Sequence, residues 1–184
     1  IRVETVGPPF KGNEVKIAED GEILVKGENV MLGYWNNKEE TDKVLKNGWL
    51  HTGDIGVFEN TYLKITDRKK DIIITPGGDN ISPIKIENEL INSELFEQAI
   101  VYGDNKPFLV SLLVLDEEKK SYNEEEIKVE IEKINKKLSK IENIKKYFII
   151  NEKFSIENGM LTPTLKLKRY KIIQKYKNNF EKLY

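Results

Sequence analysis

Of four short signature stretches in this chain, three set polar and charged residues where they could do chemistry. In Gly48-Trp-Leu-His-Thr-Gly-Asp-Ile-Gly56, a carboxylate at Asp54 directly follows a flexible glycine, Gly53, between apolar residues. A rigidly held aspartate can accept two hydrogen bonds from a vicinal diol such as a ribose; the plainer reading is a turn aspartate. In Thr66-Asp-Arg-Lys-Lys-Asp71, Arg68 offers a planar donor fork. Close behind, Gly77-Gly78 in Thr75-Pro-Gly-Gly-Asp-Asn-Ile-Ser-Pro83 lets backbone approach a ligand closely. The plainer reading of this pair is a solvated linker. In Leu161-Thr-Pro-Thr-Leu-Lys-Leu-Lys-Arg169, the residues Lys166, Lys168 and Arg169, with Lys171, form a basic cluster beside a proline-stiffened, hydroxyl-rich turn. A fixed lysine there could neutralise charge developing on a carboxylate or phosphate, or the cluster could simply open a solvated helix. The fourth stretch, Gly21-Glu-Ile-Leu-Val-Lys-Gly27 with Glu28-Asn-Val-Met-Leu-Gly-Tyr-Trp35, reads as a hairpin-like β element with no chemistry of its own.

The elements that must position these residues fall into two textures. Up to residue 66 the chain reads as short strands, Glu22–Lys26, Ile55–Phe58 and Tyr62–Thr66, around one helix. Asn37 caps that helix over Lys38–Lys46, and Asn47-Gly48 stops it. The segment is too short and glycine-punctuated for a large core of its own. From Asp67 onward, Ile72–Thr75 reads as a strand, Pro76–Gly78 as a turn, and Ser82-Pro83 as a helix start. Ile84, Ile91 and Leu95, with Glu87 between them, give that helix its inward stripe. Ala99–Gly103 and Phe108–Leu115 are two buried strands, the second apolar enough to be covered on both faces. Ile127, Ile131, Ile134, Leu138 and Ile141 predict a helix over residues 124–146. A strand at Tyr147–Ile150 and a terminal helix from Tyr170 to Leu183 complete the α+β pattern.

Composition narrows the function classes. Lys plus Arg number 30 and Asp plus Glu 31 among 184 residues, so the net charge of -1 gives no field directed at nucleic acid. With no cysteine and one histidine, a thiolate zinc site, a disulfide framework and a multi-histidine metal centre are excluded, and a serine–histidine triad is disfavoured. His51 is read as structural, with no catalytic role. The longest apolar runs fall well short of the ~20 residues a membrane span needs. No Gly-x-x-x-x-Gly-Lys or Gly-x-Gly-x-x-Gly loop occurs, so any nucleotide phosphates must be held by something else. The expectation is a cytoplasmic protein, and the opening Ile1 in place of methionine suggests a fragment.

Taken in order, the four stretches resemble the C-terminal portion of the AMP-forming acyl-CoA synthetases, in the adenylate-forming (ANL) superfamily. Within it, residues 73–83 and 161–169 look most like the long-chain fatty-acid branch. The resemblance implies a small β-rich subdomain at residues 1–69, the end of a large ATP-binding domain, followed by a compact, mobile α+β lid at 70–184. It implies an acid–thiol ligase: a fatty-acid carboxylate attacks ATP to give acyl-AMP, and coenzyme A then displaces AMP. By motif, Asp54 would bind the adenosine ribose, with Arg68 beside it. Lys70 would be the hinge, Lys166 would bridge carboxylate and phosphate during adenylation, and Gly77 and Gly78 would line the CoA tunnel.

The resemblance also implies that magnesium ligands, the ATP loop and the acyl tunnel belong to an upstream domain of the same enzyme, leaving no metal site in this chain. The segment alone would then be inactive. Asp79 departs from the lysine usual in the long-chain branch, near the CoA tunnel. The basic residues after Lys166 could touch anionic lipid at a membrane periphery. The competing readings are another adenylating ligase, loading an aryl acid or an acyl carrier protein, and a non-catalytic module that has kept the fold.

Overall fold

The computed structural model describes residues 3–116 and 123–184. The chain forms two compact units, Ile1–Lys70 and Asp71–Tyr184. The class is α+β.

The first unit is a five-stranded antiparallel sheet: β1 (Glu14–Ile17), β2 (Glu22–Lys26), β3 (Leu45–Lys46), β4 (Trp49–Glu59) and β5 (Tyr62–Arg68). Strand β4 is its hub, pairing with β2, β3 and β5. Helix α1 (Lys38–Val44) starts where Asn37 accepts the Glu40 N–H, and Asn47-Gly48 forms the β3–β4 turn with both residues at positive φ. Among the described residues of this unit only Ile23 and Leu24 are buried hydrophobics, while Phe10, Leu32 and Trp35 are exposed. The sequence pattern marked only Ile55–Phe58 in β4, because the polar His51–Asp54 run interrupts apolar alternation. The strand nonetheless runs through it over 11 residues.

In the second unit, a hairpin of β6 (Ile73–Ile74) and β7 (Asn80–Ile81) leads into α2 (Pro83–Ile91). Ser82 caps α2 by accepting the Lys85 N–H. Next come β8 (Phe96–Tyr102), β9 (Leu109–Leu115), α3 (Glu124–Asn135), β10 (Ile144–Ile150), α4 (Arg169–Lys175) and α5 (Lys177–Glu181). The sheet order is β10-β9-β8, with β9 and β10 parallel and α3 crossing between them.

Strand β9 sorts its side chains by parity. Leu109 and Leu113 face a cluster built on Ile86, Leu90, Ile127, Ile131 and Ile134 of α2 and α3. Val110, Leu112 and Val114 face a second cluster with Ile172 and Phe180 of α4 and α5. Both faces of the strand are therefore covered, as its continuous apolar run implied.

Three sequence expectations need correction. The inward face of α2 is Pro83, Ile86, Glu87 and Leu90, whereas Ile91 is 45% exposed and Ile84 half-buried; the pattern was read one position out of phase. Helix α3 stops at Asn135 rather than 146. There the Asn135 amide donates to the Ile144 carbonyl and accepts its N–H, both at 2.9 Å, which turns the chain into β10 three residues earlier than expected and leaves Ile141 exposed. The terminal helix is two helices, broken at Tyr176, whose ring packs on Phe148 and whose hydroxyl donates to Glu152. In the last two cases a tertiary contact overrides a local period.

Candidate functional site

In the first unit the Thr52-Gly53-Asp54 motif is neither turn nor loop; it is an irregular stretch of β4. The β2–β4 register shifts between Glu22 and Leu24, and the β4–β5 register shifts between Ile55 and Gly56. Such bulges re-aim side chains locally. Gly53 sits at φ +71, a conformation other residues adopt only at a cost of roughly 1 kcal/mol or more. Thr52 pins the irregularity, its hydroxyl donating to the Ile23 carbonyl at 2.8 Å and accepting the Asp54 N–H at 3.1 Å.

Asp54 and Arg68 are register partners on β4 and β5, and the Arg68 Nε–H meets Asp54 Oδ1 at 2.8 Å. Among the described residues nothing donates to Asp54 Oδ2, so the carboxylate keeps acceptor capacity for a diol. Asp54 is one-quarter exposed and Arg68 about half. The structure thus joins these two predicted residues into one anion-and-cation pair at the surface.

Beneath the pair lies a group given no role on sequence: Glu22, whose residue is 4% exposed. Its carboxylate accepts from the Gly53 N–H at 2.9 Å, from His51 Nδ1 at 2.9 Å and from Lys69 Nζ at 3.0 Å. A carboxylate only accepts, so the His51 proton is on Nδ1. Burial pushes the Glu22 pKa up, but the hydrogen bonds from His51, Lys69 and the Gly53 backbone outweigh it and hold the group below the usual carboxylate value. Lys69 also meets Asp20 at 2.6 Å; hydrogen bonds to Asp20 and Glu22 raise its pKa. Glu22 therefore ties the backbone beside Asp54 to the residue before Lys70. The available sequence signal was a single charge at the head of the apolar run Ile23-Leu-Val25.

Lys70 is exposed within a short 3-10 turn, Lys69–Asp71, at the end of the first unit.

In the second unit, Gly77 and Gly78 form the exposed tip of the β6–β7 hairpin. Gly78 has φ +87, and its N–H donates to the Thr75 carbonyl at 2.9 Å. Asp79 belongs to the loop's own framework: its carboxylate accepts from the Thr75 hydroxyl, and its N–H donates to the same hydroxyl, each at 3.1 Å.

Lys166 lies on another tight hairpin. Leu161 and Leu167 bridge as antiparallel partners, Thr162 N–H donates to the Lys166 carbonyl at 2.8 Å, and Lys166 N–H donates to the Thr162 hydroxyl at 3.0 Å. Leu165, at φ +60, makes the turn. The Lys166 ammonium is exposed and has no ion-pair partner among the described residues. Arg169 departs from the solvated cluster expected for it. Its guanidinium is 12% exposed and grips Glu87 with two bonds, at 2.8 and 2.5 Å.

Among the described residues no group of three or more His, Asp or Glu side chains comes together to hold a metal ion. Among the same residues, no helix is long and apolar enough to cross a membrane.

The family model for the AMP-binding enzyme C-terminal domain matches residues 70–184, and the chain belongs to this adenylate-forming family. It is 37% identical over 206 residues to the long-chain-fatty-acid–CoA ligase FadD15 of Mycobacterium tuberculosis, a match covering 100% of this chain and 34% of that protein. O-succinylbenzoate coenzyme A synthetase (MenE) of Bacillus subtilis, solved in complex with AMP, superposes with a TM-score of 0.73 at 30% identity, over 92% of this chain and 35% of that one. The adenylation domain of a carboxylate reductase from Mycobacterium chelonae shares the fold, with a TM-score of 0.84 at 23% identity, over 96% of this chain and 31% of its own. The chain thus spans about a third of the length of the proteins it matches.

Proposed function

We propose that this chain is the C-terminal part of a long-chain fatty-acid–CoA ligase, which activates a fatty acid with ATP to acyl-AMP and then transfers the acyl group to coenzyme A with release of AMP. The observation that carries this reading is the Asp54–Arg68 pair at 2.8 Å, held on a bulged strand ahead of a unit that presents Lys166 unpaired. On this reading Asp54 takes the ribose hydroxyls and Arg68 stands beside the same ribose. Lys166 supplies the cation that lets one anion attack another: the carboxylate oxygen bonds to the α-phosphorus while pyrophosphate leaves with the electron pair. Removing one such electrostatic contact typically costs on the order of 10²–10³ in rate.

In the second step the CoA thiol loses its proton to solvent, its sulfur bonds to the acyl carbon, and the acyl C–O bond breaks with AMP leaving as the phosphate anion; Gly77 and Gly78 flank the pantetheine arm. Lys70 is the hinge between these two states. The ATP loop, the acyl tunnel and the magnesium ligands are assigned to the rest of the enzyme. Its surface would cover Phe10, Leu32 and Trp35, which the first unit leaves exposed. We assign the enzyme to the cytoplasm, with peripheral contact to anionic lipid through Lys168 and Lys171.

The test is Lys166→Ala in the intact enzyme. Pyrophosphate release with fatty acid and ATP is expected to fall at least about 100-fold, while acyl-CoA formation from supplied acyl-adenylate continues near the wild-type rate. Undiminished pyrophosphate release would defeat the assignment.

A further inference from the structure

We infer that Arg169 and Glu87 are a positioning pair for adenylation: their buried, two-point ion pair fixes the root of the hairpin that presents Lys166. The inference rests on the role proposed above for Lys166. Three observations carry it.

The first is how the hairpin is held. One arm is anchored by apolar burial at Met160 and Leu161, which belong to the cluster around Phe154, Ile172 and Phe180. The other arm leaves Lys166, bonds back through the Lys168 N–H to the Met160 carbonyl, and enters α4. Helix α4 has no side-chain cap at its start. This arm is held by Ile172 of α4, buried in the same cluster, and nearer the hairpin by Arg169, the first residue of α4 and three positions from Lys166.

The second is the geometry of the grip. Arg169 Nη1 and Nη2 donate to the two Glu87 oxygens at 2.8 and 2.5 Å, and Nη1 also reaches the Val101 carbonyl at 3.3 Å. Glu87 Oε1 in turn accepts the Val101 N–H at 2.7 Å. The side chains are 12% and 7% exposed. A planar fork on a carboxylate fixes direction as well as distance, which a lysine cannot reproduce.

The third is where Glu87 sits. It is on α2, which begins two residues after the Gly77–Gly78 hairpin closes at Ile81. The pair therefore links the elements that carry both loops of the second unit. Apolar residues at these positions would hold the fold as well or better, since buried ion pairs seldom exceed a packed hydrophobic replacement in stability. What the charged pair adds is orientation. Misplacing a reacting group by about 1 Å can cost on the order of 100-fold in rate.

The test separates orientation from folding. In the intact enzyme, Arg169→Lys keeps the charge and loses the fork, and Glu87→Gln keeps the shape and the Val101 acceptor. Both are expected to slow pyrophosphate release by on the order of 10- to 100-fold, with the KM for ATP within about twofold. Acyl-CoA formation from supplied acyl-adenylate should stay within about twofold in both. The double variant should lose no more than the worse single one, because the two residues act as one unit. Equal loss of both half-reactions would reduce the pair to a fold-stabilising contact and overturn the inference, as would wild-type adenylation in both variants. Lys166→Ala is run alongside. If it adenylates normally, the role of Lys166 falls and the inference with it; if it is defective while the other two are normal, the inference alone falls.

Discussion

Glu22 is a carboxylate under the sheet surface that owes its charge to three donors, His51, Lys69 and the Gly53 N–H. Its pKa in the fold lies below the value it has in an open chain. Its contribution to stability is therefore complete above that open-chain value of 4.5, and it is lost as the pH falls through the lower, folded value. Glu22→Gln should cost about 1–3 kcal/mol at neutral pH, the penalty of leaving buried partners poorly matched, and should flatten the acid limb of a plot of melting temperature against pH below 4.5. Because the same carboxylate holds the backbone next to Asp54, the role proposed for Asp54 predicts that the KM of the intact enzyme for ATP rises in that variant; an unchanged KM would separate Glu22 from the proposed nucleotide site. On sequence, Asp54 and Arg68 could be picked out because a glycine-flanked carboxylate and a donor fork carry chemistry in their types alone. Glu22 and Arg169 could not. One looked like a residue of a plain β element and the other like a member of a lysine-rich cluster, and only packing distinguishes a buried charge from a solvated one.

At the level of elements, apolar rhythm located the helices and most of the strands, missing β1, β3 and β7, but not where each ends. Strand β9 declared itself because a continuous apolar run has one comfortable place, between two covered faces. The end of α3 did not, since Leu138 and Ile141 prolong the helical spacing past the true stop. What stops it is the Asn135 amide, which pairs with the backbone of Ile144 as a neighbouring strand would. Asn135→Ala removes both bonds at once and is expected to cost about 1–3 kcal/mol, measured by urea unfolding. The ratio of adenylation to thioester formation should not change, because this junction braces α3 and β10 rather than either loop. The two-residue strand β7 escaped the pattern for another reason, although its partner β6 lies within the apolar run Ile72–Thr75: at that length the turn chemistry of Thr75 and Asp79, and not alternation, makes the hairpin.

Across the whole chain, the near-zero net charge conceals an uneven distribution of self-sufficiency. Both apolar clusters belong to Asp71–Tyr184, and Ile1–Lys70 buries little beyond Ile23 and Leu24. A chain that matches about a third of its relatives' length can thus contain one unit with a full core and another that depends on neighbours. That asymmetry gives β9 a further use. Its amides are hydrogen-bonded to strands on both sides and sealed above and below, so no local fraying exposes them to solvent. In deuterated water they should be among the last to exchange, at a rate set by global opening of the unit, while the Gly77–Gly78 tip and β1 exchange orders of magnitude sooner. Strand β9 is then an internal clock for the molecule. A substrate that slows exchange around Asp54 while leaving β9 unchanged has been gripped locally, and one that slows both has also stabilised Asp71–Tyr184 against global opening.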